Sequence, residues 1–228
     1  MEAGPADDPP VEDGLKGRRT APGVIDSGSI RSMAGFWPIG RQAWAMATLP
    51  EELRLESGQV VLRDWHDSDA PALEPVCGEW DVCAFTSVPW TYSEAEALAW
   101  IERQRRKRAA GTVLALAIQA PGDEHALGNV NLARFDDGSR EAAIGYWLVP
   151  EARGRGLATA ATSLLIDWGL REQDLERIEF AILPENLASQ RVADRLGATP
   201  EGLRERSHEA EGRLWDMTIW TLTRRPRC

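Results

Sequence analysis

The chain has 228 residues, of which 43% are hydrophobic, and this length suits one substantial domain with an extension rather than two domains. The formal net charge is −10 and the pI is about 4.9, which disfavours contact with a phosphate backbone, so we expect no nucleic-acid partner. The same charge suits a cationic partner such as an amine, although an acidic surface kept for solubility would look no different.

The cysteines and histidines argue against a disulfide framework and against a metal centre. The three cysteines are an odd number without C-x-x-C spacing, and the three histidines are well separated, so we expect no metal. No apolar run approaches the ~20 residues of a membrane helix. The N-terminus lacks the basic stretch and apolar core of a secretory signal. We therefore expect a cytoplasmic chain that does not associate with membranes.

The N-terminal segment 1–45 differs in composition from the rest of the chain. It holds seven Gly and five Pro, together with charges of both signs. Such a composition buries too little apolar surface to offset the entropy lost on ordering. We expect a flexible extension over 1–45 and a folded domain over 46–228.

Hydrophobic periodicity and turn residues predict seven strands and four helices in the domain. The strands are expected at 60–63, 112–119, 127–134, 142–149, 177–183, 201–207 and 215–223, and the helices at about 64–77, 93–109, 157–168 and 186–196. This order predicts an α+β domain, in which helices cover the faces of a mixed sheet.

The second predicted helix carries recognisable signals at both ends. Ser93 and Glu96 form a capping box at its start. Its end is the basic cluster 103–108, where cations oppose the negative end of the helix dipole. We interpret this cluster as a solvated helix C-terminus rather than as a nucleic-acid patch.

The turn between the strand 142–149 and the following helix is the most informative segment. Gly154 and Gly156 allow several backbone amides to point at one spot, and the helix N-terminus adds its partial positive charge. Arg153 and Arg155 stand beside the glycines. These features predict a pyrophosphate cradle. Other phosphate loops fit poorly, because no GK[ST] is present and the GxGxxG pattern is matched only in part.

Several segments resemble the GNAT acyltransferase superfamily. Residues 153–158 match its pattern of Arg or Gln, two residues, Gly, one residue, and Gly or Ala. The segments 144–148, 186–197 and 214–217 are similar to the RimJ/RimL-like branch, the N-terminal acetyltransferases of ribosomal proteins. The resemblance covers about 55–225. It implies a mixed, mostly antiparallel twisted sheet with a splayed central V and helices on both faces.

The resemblance also implies acetyl-CoA as co-substrate and the residues that hold it. These are Leu148, Val149, Arg153, Gly154, Arg155, Gly156, Leu157, Ala158, Thr159, Asn186 and Ser189. The pantetheine arm would lie in the V, where the amide of Leu148 would polarise the thioester carbonyl. The hydroxyl of Ser189 would assist departure of the thiolate. A serine in this place could instead only help to close the first helical turn.

The base that takes the proton from the amine is less evident. Many relatives carry Glu at the position of Ala143. Glu141 lies on the same strand face by alternation, and we expect it to act as the catalytic base through water. His208 and Glu205 are the alternatives.

The acceptor is the other open question. Trp90 and Tyr92 precede the capping box, where the superfamily often forms the acceptor wall, so they are candidate substrate-binding residues; packing in the core is the other interpretation. We expect the acceptor to be the N-terminal amine of a protein or peptide. A small amine, such as an antibiotic, polyamine or amino-acid derivative, is the alternative, and a non-catalytic acyl-CoA-binding module is a third. We expect a monomer or a homodimer.

Overall fold

The computed structural model describes residues 49–134 and 139–224. The extension expected over 1–45 lies outside the described residues, so the boundary of the domain stays a prediction. The strands are β1 (Leu55–Glu56), β2 (Val61–Arg63), β3 (Val113–Gln119), β4 (Gly128–Arg134), β5 (Glu141–Leu148), β6 (Arg177–Ile182), β7 (Thr199–Ala210) and β8 (Arg213–Thr223). The helices are α1 (Trp80–Cys83), α2 (Glu94–Ala109), α3 (Leu157–Glu172) and α4 (Leu187–Arg195), with 3-10 helices at Asp67–Val76 and Pro150–Ala152.

The described strands form one sheet in the order β1-β2-β3-β4-β5-β6-β8-β7. Neighbours pair antiparallel except β5 and β6, which run parallel and pair only from Glu141 to Ala143, opposite Arg177 to Glu179. Beyond those pairs the two strands continue separately to Leu148 and Ile182, so the sheet opens into a V at its centre. The mixed, mostly antiparallel sheet with a splayed centre is thereby confirmed.

Helices cover both faces of this sheet. Alternation along β5 sends Tyr146 and Trp147 to opposite faces. Trp147 is buried against Trp65 and against Trp100 of α2, with ring centroids 5.9 and 6.2 Å apart. The hydroxyl of Tyr146 donates to the carbonyl of Ser189 in α4 over 3.4 Å. The helices α2 and α4 therefore lie on opposite faces of the sheet, one on each face of the V.

The helix α3 packs closely on the Tyr146 face. A Cβ added at Gly169 in α3 would lie 2.9 Å from the side chain of Leu132 and 3.0 Å from that of Leu175. Leu132 pairs with Ile144 of β5, which is an even-numbered position on the same face as Tyr146. A residue without a side chain thus lets the C-terminal half of α3 approach β4 closely.

Local capping signals gave correct helix ends. The hydroxyl of Ser93 accepts the amide of Glu96 over 3.2 Å, and α2 ends at Ala109 as predicted. Gly197, with φ +80°, follows α4 in the left-handed conformation typical of a helix end.

Other elements differ from the sequence-based expectation. The helix expected near 64–77 is a 3-10 helix, because Pro71 and Pro75 lie inside it and remove amide donors. Two short elements, β1 and α1, were not predicted. The final hairpin is longer than expected because only Glu211 and Gly212, both at positive φ, form its turn.

The basic cluster at the end of α2 lies at the surface, with several of its side chains exposed, but two of its arginines also bond within the chain. Arg108 forms an ion pair with Asp64 and donates to the carbonyl of Pro50 over 2.8 Å. Arg105 donates to the carbonyl of Trp65 over 3.1 Å. These contacts tie the end of α2 to the segment around β2.

Candidate active site

The loop that joins β5 to α3 is shaped by two glycines. Gly154 and Gly156 have φ of +74° and +79°, a left-handed conformation that a side chain would disfavour. A Cβ at either position would meet nothing within 4 Å. The space in front of the loop is therefore open to a ligand that approaches the backbone.

The loop presents a run of unused amide donors. Within the described residues, the backbone amides of 154–159 donate to no other group of the chain. The first turn of α3 has neither a side-chain cap nor an acidic residue. Since such a helix N-terminus carries partial positive charge, it attracts an anion. The residues present thus fit the pyrophosphate cradle that the sequence predicts.

The two arginines of the loop differ in their surroundings. The Nε of Arg153 donates to the carbonyl of Leu148 over 3.0 Å, and its guanidinium forms an ion pair with Glu79. The amide of Arg153 donates to the carbonyl of Pro150. Arg155 is exposed and forms no ion pair with the described part of the chain. Of the two side chains, Arg155 is the one available to an anion.

The end of β5 presents one amide to the V. The amide of Val149 donates to the carbonyl of Leu127 over 3.0 Å, and its carbonyl accepts the amide of Ala152 over 3.0 Å. Because hydrogen-bond direction alternates along an antiparallel strand, the N–H of Leu148 points away from β4 and toward the gap left by β6. Both backbone groups of Val149 are used inside the chain, which argues against the pantetheine contact expected there; the role expected of the Leu148 amide stays a prediction.

The start of α4 lies beside this gap. The side-chain oxygen of Asn186 accepts the amide of Ser189 over 3.0 Å, and the carbonyl of Ser189 accepts the hydroxyl of Tyr146. Burial raises the pKa of Tyr146 to about 12, so this hydroxyl stays a donor at neutral pH. The cap of α4 is thus made by Asn186 and the amide of Ser189. It does not require the Ser189 hydroxyl.

Glu141 lies at the closed end of the V, where β5 and β6 still pair. Its carboxylate forms an ion pair with Arg177 over 2.7 Å, and Arg177 also pairs with Glu201 over 2.7 Å. Seven residues of extended strand separate Glu141 from Leu148, a distance of about 23 Å. This placement argues against the base role that the sequence suggested for Glu141.

The alternative bases lie on β7. His208 is buried; its Nε2 donates to the carbonyl of Ala84 over 3.0 Å, and its ring centroid lies 4.8 Å from that of Phe85. Burial lowers the pKa of His208, so the ring is neutral at pH 7. Glu205 is exposed to solvent.

An aromatic cluster that sequence reasoning missed joins α1 to the β7–β8 hairpin. Trp80 of α1 lies 5.0 Å from Trp215 of β8 and 5.3 Å from Phe85, measured between ring centroids. The cluster packs against buried Leu183, which follows β6, and therefore lies at the open end of the V. More than 120 positions separate Trp80 from Trp215 in the sequence, so no local pattern could have paired them.

Trp90 and Tyr92 are partly buried and pack against the main core, as the packing interpretation expects. Their contact with a substrate stays a prediction. In the ranges 49–134 and 139–224, no group of three or more His, Cys, Asp or Glu side chains is placed to hold a metal ion. Over the same ranges, no helix is both long and apolar enough to cross a membrane.

Comparison with known proteins agrees with this geometry. The chain matches the family described as acetyltransferase (GNAT) domain over residues 59–199. The probable N-acetyltransferase YjcK of Bacillus subtilis (strain 168) is 34% identical over 95 residues, which are 41% of this chain and 52% of YjcK. The chain thus matches about half the length of that relative.

Two solved structures share the fold. Mycobacterium smegmatis RimJ in complex with CoA-disulfide has a TM-score of 0.65 and 27% identity, covering 75% of this chain and 85% of RimJ. RimL, a ribosomal L7/L12 alpha-N-protein acetyltransferase in complex with coenzyme A, has a TM-score of 0.64 and 20% identity, covering 75% of this chain and 98% of RimL. Since the family match spans more than half of the 228 residues, this chain belongs to the GNAT family of N-acetyltransferases.

Proposed function

We propose that the chain transfers an acetyl group from acetyl-CoA to the N-terminal amine of a protein or peptide. The main support for acetyl-CoA as co-substrate is the run of unused amides at 154–159, which supply hydrogen-bond donors and partial positive charge for a pyrophosphate. The acceptor class is supported by the likeness to RimJ and by the fold shared with RimL, an alpha-N-protein acetyltransferase. The net charge of −10 favours a cationic acceptor.

The two faces of the V suggest separate entry routes for the two substrates. The loop at 154–159 and the start of α4, with Asn186 and Ser189, lie on the side of Tyr146. The aromatic cluster of α1 and the hairpin packs against Ile219 of β8, which the strand registers place on the face of the sheet that α2 covers. Acetyl-CoA approaches from the α3 and α4 side with its thioester in the open V, and the amine approaches from the α1 side.

The residues around the V then divide the chemistry between them. The neutral amine attacks the carbonyl carbon of the thioester, and the N–H of Leu148 donates to the oxyanion that develops. The carbon–sulfur bond breaks, the sulfur leaves with the electron pair, and the hydroxyl of Ser189 donates a hydrogen bond to it or gives it a proton, which the serine regains from water. The proton released by the amine passes to water. Glu141 has no part in this scheme because of its distance from Leu148.

The test is release of free thiol when the full chain is mixed with acetyl-CoA and a panel of amines. The panel pairs each peptide with its N-formylated form and adds a polyamine and an aminoglycoside. We expect turnover with free N-termini and none with the blocked peptides. Turnover with the small amines alone would replace the proposal with a small-molecule acetyltransferase. Binding of acetyl-CoA with no turnover of any amine would favour a non-catalytic module.

A further inference from the structure

The side chain of the loop arginine Arg153 is bonded to other groups of the chain instead of being left available to a phosphate. Its Nε donates to the carbonyl of Leu148 over 3.0 Å, and its guanidinium pairs with the carboxylate of Glu79. Glu79 is the residue before α1 and makes no side-chain cap to that helix. Arg153 thus joins the end of β5 to the start of α1, across 74 positions of sequence.

The helix that Arg153 holds is also part of the acceptor side of the V. Trp80, the next residue after Glu79, packs edge-to-face against Trp215 of the hairpin. The amides of Val82 and Cys83 donate to the carbonyl of Glu79 over 3.0 and 2.9 Å. A shift of Glu79 would therefore move the single turn of α1 and the aromatic contact with β8.

We propose that Arg153 and Glu79 are a positioning pair that couples the acetyl-CoA loop to α1 and the β7–β8 hairpin on the acceptor side of the V. Arg153 fixes α1 relative to Leu148, so the wall formed by α1 and the hairpin stands at a set distance from the amide that polarises the thioester. Occupation of the loop by acetyl-CoA then orders the acceptor side. The inference rests on the proposed function for the identity of the two substrates.

Because the Arg153–Glu79 pair is partly exposed, we expect it to position α1 rather than to stabilise the fold. Both side chains are partly exposed, at 45% for Arg153 and 30% for Glu79, and ion pairs of this kind contribute little to folding. The main effect of breaking the pair should thus appear in acceptor binding. The melting temperature should change little.

The experiment compares Glu79→Gln, Arg153→Gln and the double variant with the wild-type chain. Gln at 153 is the other residue that the superfamily pattern accepts, and it keeps the backbone of the loop. The control is Arg106→Gln, which breaks an exposed ion pair with Glu102 on α2. The measurements are the acetyl-CoA dissociation constant, the KM values of both substrates, and hydrogen exchange of the segment 79–86 by mass spectrometry.

We expect both single variants to raise the acceptor KM by about three- to tenfold and to keep the acetyl-CoA dissociation constant within about twofold. The double variant should be no worse than Arg153→Gln, because that change already breaks the ion pair with Glu79. Exchange in 79–86 should be faster in both variants. In the wild type, acetyl-CoA should slow this exchange, and in the variants it should do so less. The control should match the wild type.

The exchange measurement keeps the inference independent of turnover. If the wild type acetylates no amine in the panel, the proposed function fails, and exchange still reports whether the pair couples the loop to α1. Unchanged exchange in both variants overturns the positioning role. Weaker acetyl-CoA binding in Arg153→Gln, with Glu79→Gln like the wild type, would instead make Arg153 a direct ligand of the phosphate.

Discussion

Replacing Ser189 by Ala separates a chemical role of its hydroxyl from a structural one. The cap of α4 joins the side chain of Asn186 to the amide of Ser189, and both groups remain in Ser189→Ala. We therefore expect the free energy of unfolding to change by less than about 0.5 kcal/mol. Asn186→Ala removes the cap acceptor and should cost about 1 kcal/mol. That loss corresponds to a melting temperature about 2–4 °C lower in a domain of this size.

Although Ser189→Ala should barely change stability, we expect it to lower turnover strongly. A hydroxyl that acts as a full general acid contributes about 10²–10⁴-fold to the rate. The thiol of coenzyme A is already a fair leaving group, so we expect a loss of about 10²-fold or somewhat less, which is at most ~2.7 kcal/mol of transition-state stabilisation. The KM for acetyl-CoA should move little, because the contact strengthens mainly in the transition state.

The assay measures kcat and KM by thiol release, and thermal unfolding, on the same preparations of both variants. Turnover is expressed per folded molecule, so that loss of stability is not counted as loss of chemistry. A well-folded Ser189→Ala enzyme that loses less than about threefold in turnover would refute the assignment. A melting temperature that falls as far in Ser189→Ala as in Asn186→Ala would show that the hydroxyl also supports the turn.

Two further predictions concern the loop and the hairpin. Gly156→Ala forces a side chain into φ +79°, at a cost of about 1–2 kcal/mol, and should reduce the rise in melting temperature that saturating acetyl-CoA produces. The control is Gly58→Ala, because Gly58 lies in open space and has no positive φ. Equal stabilisation of both variants by acetyl-CoA would count against the cradle. Burial lowers the pKa of His208, so as the pH falls this histidine is protonated in the unfolded chain before it is protonated in the folded one. The free energy of unfolding should therefore keep its full value above the ordinary histidine pKa of about 6.5 and fall as the pH drops below it. Melting temperatures between about pH 5 and 7.5 should show this slope flattened in His208→Asn; an unchanged slope would assign the acid sensitivity to other groups.

The features that sequence could predict are those set by neighbours along the chain. The caps at Ser93 and Asn186 involve groups three residues apart, and both helices start where the sequence predicts them. Gly197 ends α4 because its left-handed conformation is a local requirement. The phosphate loop belongs to the same class, since its glycines and helix start are contiguous. The divergence of β5 and β6 was predicted only from the family resemblance, because no local sequence pattern indicates where two strands part.

The features that escaped sequence reasoning depend on distant partners. A loop arginine beside two glycines has the same appearance whether it binds phosphate or, as Arg153 does, the carbonyl of Leu148 and the carboxylate of Glu79. Glu141 lies on the expected face of β5, but its ion pair with Arg177 requires the neighbouring strand. Strand periodicity gives the face of a side chain. It does not give the end of the V at which that side chain lies.

The alternation of hydrogen bonds along β5 has a consequence for how this family can diverge. The direction of the Leu148 amide depends on whether its position in the strand is odd or even relative to Val149, whose amide is bonded to Leu127. The side chain at 148 is buried and need only pack, so evolution can exchange one apolar residue for another there. A single-residue insertion within β5 would turn the donor toward β4, and an insertion of two would restore it. Length changes in this strand should thus be found in even numbers, or compensated by a bulge.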